Sequence, residues 1–312
     1  MRFKPLSPRG IKTYSIKKRK SKVGVGDVAS VPEKGGSVKA FLGGLPDILA
    51  AKDLRAVASA VASAHRRDKT VAVGMGAHVI KVGLSPLIID LMERGVISAV
   101  AMNGAGIVHD FELAYAGQTS EDVSAEIGRG AFGMAEETGK LLNGAIKRGV
   151  KKGLGIGRSV GDMISRSRFP HKDLSILAAG ARLDIPVTVH VAIGTDILHI
   201  HPQMDGAATG SGSERDFKLF ASVVSTLQGG VYINIGSTVV MPEVFLKALT
   251  LARNLGHRVR SLTTVDMDFI RHYRPSTNVV RRPTLGGGKG YSLTGHHEIM
   301  VPLLYAAIRE KL

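Results

Sequence analysis

Thr70-Val71-Ala72-Val73 is a short β-branched apolar run, and Gly74-Met75-Gly76-Ala77-His78 breaks it at once. Leu84, Leu87, Ile88 and Leu91 then recur at helical spacing as far as Arg94, with Gly95 as the stop. The next apolar run, Ile97 to Met102, ends in Asn103-Gly104-Ala105-Gly106. From Thr70 to Asp110 the chain therefore reads strand, glycine turn, helix, strand, glycine turn, which is a βαβ unit. Glycines at strand ends let backbone N–H groups approach a ligand closely, and open α/β sheets bind nucleotides there.

Outward from this unit the same alternation continues. Upstream, Phe41 to Ile48 begins the folded part, and Asp53 to Arg66 is an Ala/Val-rich helix. Downstream, Glu121 to Arg148 is mostly helical but interrupted by glycines. A short amphipathic segment (Val160 to Arg166) and a helix (Lys172 to Leu183) follow, then a strand from Val187 to Ile193 that runs into Gly194-Thr195-Asp196. Arg215 to Leu227 is a helix, Gly230 to Ile235 a strand, Gly236-Ser237-Thr238 a turn, and Pro242 to Leu255 a helix. Val259 to Val265 reads as a strand, Arg271 to Arg282 as a basic irregular tract, and the chain closes on a helix. The expected fold is α/β: a Rossmann-like, doubly wound, largely parallel sheet with helices on both faces and right-handed crossovers.

The 312 residues contain no cysteine, so a nucleophile must be Lys, Ser, Thr, His or a carboxylate. No window approaches a membrane span and the N-terminus lacks a secretory apolar core, so the expectation is a cytoplasmic protein. Residues 1–40 carry +9 of the formal net charge of +16, with Lys17-Lys18-Arg19-Lys20 at the centre. They read as a basic arm ahead of a single domain over residues 41–312. Such an arm suits packing on a neighbouring subunit or an acidic partner; no nucleic-acid motif accompanies it.

Five loops fall at expected carboxyl ends of strands: Gly74 to His78, Asn103 to Gly106, Gly194 to Asp196, Gly236 to Thr238 and Thr264 to Asp268. In one parallel sheet they share an edge. Asp196 suits a ribose hydroxyl or a helix cap. His199, His201 and Asp205 form a polar loop that would be a metal site only with a third ligand at a characteristic spacing, so no metal is expected. His296-His297-Glu298 opens the last helix, offering either a general acid or base or a capped start with one buried and one exposed histidine. Lys289 sits among glycines, as a phosphate-binding or Schiff-base lysine would, or as part of a mobile loop. Gly153-Leu154-Gly155-Ile156-Gly157 has the glycines of a phosphate loop but follows a helix, so it reads as a linker.

The order of motifs resembles the deoxyhypusine synthase family. The segment Gly76 to Asp110 is similar to that family's cofactor-binding core, and the likeness continues through Ile185-Pro186, Thr195-Asp196, Gly236, Arg274-Pro275 and Val301-Pro302-Leu303-Leu304. It covers most of the chain from about residue 65. The resemblance implies an NAD-binding fold assembled as a homotetramer. The family oxidises spermidine with NAD, captures the aminobutyl group on a lysine and passes it to a lysine of a translation factor. On that footing the five loops form a cofactor site from Gly76, Ala77, His78, Asn103, Gly104, Gly106, Asp110, Asp196, Gly236, Ser237, Thr264 and Asp268, and the residues themselves offer His296 or His297 as a candidate base and Lys289 as a candidate substitute nucleophile.

The departures narrow that implication. Pro283 stands where the family's catalytic lysine belongs, and Thr277 and Arg281 stand where it holds the polyamine with a glutamate and a tryptophan. The expectation is accordingly an NAD-dependent transferase or oxidoreductase beginning with hydride transfer from an amine-type substrate, rather than deoxyhypusine formation. With Arg271, Arg274, Arg281 and Arg282 nearby, the small-molecule substrate would be anionic or amino-acid-like. The alternative is a dinucleotide-binding sensor or scaffold oligomer that has lost catalysis.

Overall fold

The computed structural model describes residues 3–312; the first two residues of the basic arm lie outside it. Six strands form one all-parallel sheet: β1 (Val71–Met75), β2 (Ala99–Asn103), β3 (Val187–His190), β4 (Val231–Ile235), β5 (Thr263–Asp268) and β6 (Lys289–Thr294). Their spatial order is β3-β2-β1-β4-β5-β6. This is the Rossmann-like arrangement, in which the strand order reverses between β1 and β4.

Alternation along each strand explains why both faces are covered. Val71, Val73 and Met75 point into one core with Val100, Met102, Ile233, Ile235, Val265 and Met267. Ala72, Ala99, Ala101 and Tyr232 point into the other, beneath Phe220 and Phe245 of the helices Gly206–Ser225 and Val240–Asn254. Small residues on that second face let Tyr232 lie flat against Phe245, with ring centroids 3.8 Å apart. Gly74 belongs to the same arrangement, because a Cβ there would stand 2.1 Å from the Tyr232 hydroxyl.

Several local readings change: β3 ends at His190 rather than Ile193, and the helix expected from Lys172 starts at Ile176. Glu121 to Arg148 is two helices, Val123–Ile127 and Glu136–Lys151, separated by a glycine-rich turn. β5 extends to Asp268, so Asp266 and Met267 are buried strand residues and not a loop. β6 is a sixth parallel strand registered against the whole of β5, with Lys289 opposite Thr263 and Thr294 opposite Asp268. Residues 3–37 hold two short 3-10 turns and are exposed almost throughout. Among the described residues no helix is long and apolar enough to cross a membrane.

Candidate functional site at the carboxyl edge of the sheet

The ladder runs one residue past β1, β4 and β6. Gly76 N donates to Ile235 O (2.9 Å), Gly236 N to Met267 O (2.9 Å), and Gly295 N to Asp268 O (3.1 Å). The three turns therefore leave the sheet in step, as neighbours. A Cβ on Gly76 would lie 2.2 Å from the Gly236 carbonyl oxygen. Gly236 itself has φ +61°, and a Cβ there would meet the His297 ring at 2.8 Å. Only glycine allows both contacts, and together they bring a histidine from the last helix, His297–Arg309, against the junction of β1 and β4.

His297 is 1% exposed. Its Nε2 lies 3.3 Å from Met267 O and 3.8 Å from Asp268 Oδ1. A carbonyl only accepts, so Nε2 carries a proton, and in the neutral ring Nδ1 is then an acceptor. That Nδ1 is buried without a partner. Around it stand His78, with ring centroids 5.4 Å apart, and Phe269, at 5.8 Å edge-on. Desolvation of the His78 ring, then the neighbouring His297, holds its pKa below the ordinary imidazole value, although one side of the residue is open to solvent. Phe269 also stacks on His296, an exposed ring whose Nδ1 is 3.8 Å from Glu298. The pair at the helix start is thus one buried and one exposed histidine.

The β4 turn completes this half of the edge. Ser237 is buried and its Oγ accepts from Met241 N (3.2 Å) at the start of helix Val240–Asn254, whose cap residue Val239 supplies no side-chain bond. Ala77 caps the short turn that carries His78. Asp268 Oδ1 accepts from Phe269 N at 2.8 Å.

Asn103, Gly104, Gly106 and Asp196 meet at the ends of β2 and β3. Asn103 Oδ1 accepts from Gly106 N (3.2 Å), and the Asp196 carboxyl faces the Ala105 N–H, which partly offsets the rise in its pKa caused by burial. Gly104 exists to admit Asp196, since a Cβ there would stand 2.1 Å from its Oδ2. The N-terminus of helix Gly104–Ala116 therefore already holds an anion from the chain itself. Gly106 is a packing glycine, with Met102 Sδ 2.8 Å from where its Cβ would be.

Three expected site residues lie elsewhere. Asp110 is fully buried, and its oxygens accept from Ser175 Oγ, Ile176 N (2.8 Å) and Leu177 N (3.3 Å). It caps helix Ile176–Leu183 rather than facing a ligand, and burial pushes its pKa up to about 6. Thr264 is fully buried inside β5, between Tyr232 and Gly290. Lys289 starts β6 at the opposite edge of the sheet and is exposed. At about 3.3 Å per residue, that strand separates it from the histidines by roughly 16 Å.

The other open motifs are absorbed by the fold. Gly157 packs on the edge strand, and its N–H donates to Asp216 (2.9 Å), so the glycine-rich turn holds a carboxylate of the chain. His199 Nδ1 accepts from Gly194 N and Asp196 N, His201 Nε2 bonds Gly133 O (2.8 Å), and Asp205 caps helix Gly206–Ser225. Two features lie outside the expected site residues. Phe269 is the aromatic wall of the histidine cluster, hidden by the misplaced end of β5. His109 and Glu112 share a helix face at spacing three, a signal available in the sequence.

No family model and no curated protein sequence matches the chain. Solved structures match it at low identity. A ternary complex of AgrE with ornithine and NAD+ is 16% identical with TM-score 0.53, over 82% of this chain and 32% of AgrE. A LOR/SDH-type protein of Methanococcus maripaludis is 14% identical with TM-score 0.54, over 85% of this chain and 71% of that one. A deoxyhypusine synthase-like protein of Entamoeba histolytica is 11% identical with TM-score 0.50, over 96% and 97%. The chain spans about a third of the length of AgrE. These likenesses establish a shared fold.

Proposed function

We propose that the chain binds a nicotinamide dinucleotide at the carboxyl edge around Gly76 and Gly236, and that it is an enzyme acting on a small amine-type or amino-acid-like substrate. The observation that carries this reading is the buried, unpartnered Nδ1 of His297 beside two glycines that leave the backbone bare. An unpaired buried acceptor costs stability unless a ligand satisfies it, and a carboxamide N–H is a matching donor. Gly76, Gly236, Ser237 and the N–H of Val240 would hold the phosphates, Met241 N being taken by Ser237 and Pro242 having none, and Asp268 and His78 would flank the ring. When bound, such a cofactor accepts a hydride. His78, whose protonated form is disfavoured by desolvation and by His297, would take a hydrogen bond or proton from the substrate, and Phe269 would exclude water. The likeness in fold to AgrE, whose crystals hold ornithine and NAD+, supports the same reading.

A second reading, a dinucleotide sensor without turnover, draws on the position of Lys289 and on Pro283, whose carbonyl is spent on Arg253 Nη2 (2.9 Å). One experiment separates them. NAD should raise the melting temperature of the purified protein, and L-ornithine and other amines should then produce NADH. Binding without reduction favours the sensor; absence of any shift with NAD or NADH removes both.

A further inference from the structure

A cavity of about 300 Å³ lies beside the β2 turn, lined among others by Lys81, His109, Glu112, Glu121, Phe132 and Asp196. Just outside it, Thr119 Oγ1 donates to Glu112 Oε2 (2.5 Å), and Thr138 Oγ1 donates to Glu112 Oε1 (3.0 Å). His109 Nδ1 is 2.7 Å from the same Thr119 oxygen. A threonine hydroxyl has one proton, and the carboxylate, which can only accept, takes it. The Thr119 oxygen must then accept from His109, which places the proton on Nδ1 and leaves Nε2 as a bare acceptor. Glu112 and Thr119 are positioning residues: through them a carboxylate fixes the tautomer of a ring that lines the cavity.

The charges that line the cavity favour a cation. Glu112, Glu121 and Asp196 are three carboxylates against one ammonium, Lys81, which is exposed. Burial of the His109 ring, then Lys81, pushes its pKa down to about 4, so at neutral pH it adds no charge of its own. A neutral imidazole with its lone pair free accepts from an ammonium and does not compete with it. Phe132 gives the carbon chain of such a ligand an apolar wall.

We propose that this cavity binds the primary ammonium group of a small amine, which donates to His109 Nε2 and is held by Glu121 and Asp196. The inference rests on the amine-type substrate proposed above, but the binding step does not need the dinucleotide.

The test uses the full chain, labelled with nitrogen-15, with His109 assigned by comparison with His109→Gln. At neutral pH its ring should show the Nδ1–H tautomer. Putrescine and L-ornithine should shift its Nε2 resonance and raise the melting temperature, whereas glutarate should do neither. Thr119→Val should move the ring toward the Nε2–H tautomer and weaken putrescine binding about tenfold, as loss of one charged hydrogen bond does. If that variant does not fold, Glu112→Gln, of the same shape, is read by the same two signals. An Nε2–H tautomer in the parent protein, preferential binding of glutarate, or putrescine binding indifferent to both variants would overturn the proposal. If amines move His109 while NAD leaves the melting temperature unchanged, this site stands and the dinucleotide reading falls. If NAD binds and no amine moves His109, the amine site falls and the dinucleotide reading stands.

Discussion

The Cβ that Gly76 lacks would stand 2.2 Å from the carbonyl oxygen of Gly236. Two turns from strands far apart in sequence thus share one surface at the place where the strand order reverses. The contact is between backbones, so neither side can yield by a rotamer change. Gly236 is constrained twice more, by φ +61° and by the ring of His297.

Gly76→Ala should therefore separate the turns. The expected cost is about 2–3 kcal/mol, as for overpacking a rigid site, together with loss of any rise in melting temperature produced by NAD. Gly286→Ala is the control, because its nearest neighbour would be Arg260 Cβ at 3.9 Å and its φ is ordinary. Thermal unfolding of the two variants decides the matter: equal stability would mean that the turns do not touch as described.

His297 and His296 should part company in ligand binding. His297→Phe removes the orphan Nδ1 together with the weak bond from Nε2 to Met267 O. Those losses offset, and stability should change by no more than about 1 kcal/mol. NAD affinity should fall about tenfold, the worth of one good hydrogen bond in a buried site. His296→Ala, at an exposed ring, should change affinity less than about twofold. Titration calorimetry on both variants checks the contrast, and an equal loss in each would place the ligand over His296.

Much of the sheet is legible in the sequence because glycine-broken apolar runs are a local signal. The site is less so, for reasons visible in individual residues. Asp266 forms a buried pair with Asn234 (2.8 Å) inside two strands, and in a hydropathy reading a polar pair looks like a loop; the expected β5 therefore ends too early and hides Phe269. β6 reads Lys-Gly-Tyr-Ser-Leu-Thr, an edge strand with little apolar content, so its glycines suggest a turn and Lys289 a site. Gly290 is there for packing, since a Cβ would meet Val280 O at 2.3 Å. Asp110 is misplaced by the sequence because its partner, Ser175, is distant along the chain and nothing local points to it.

Lys289→Ala should for the same reason leave both NAD binding and any amine oxidation at the level of the parent protein. The lysine opens β6 at the amino edge, while the histidines follow the strand at its other end. A nucleophile must come within about 3–3.5 Å of its target, and roughly 16 Å of strand lies between. Steady-state kinetics of the variant is the check, and a large loss of turnover would require a second copy of the chain to bring its own amino edge into the site.

Asp266 gives the fold a pH dependence of predictable sign. It is 3% exposed, its one side-chain donor is Asn234, and burial, reinforced by Asp268, pushes its pKa from 3.8 up to about 6. The folded state then binds the proton more tightly than the unfolded state across that interval. Stability from this group is full below pH 4 or so and is lost as pH rises through about 6. The loss amounts to about 2–3 kcal/mol at neutral pH. Asp266→Asn carries no charge at any pH and still offers Asn234 an acceptor. Urea unfolding over this range should show a flatter slope for the variant and a more stable protein at neutral pH. Some slope of the same sign should survive, because Asp110 and Asp216 are raised to about 6 and about 7 by burial as well. A variant whose curve tracks the parent throughout would assign the whole dependence to those two carboxylates and show that Asp266 is charged at no cost.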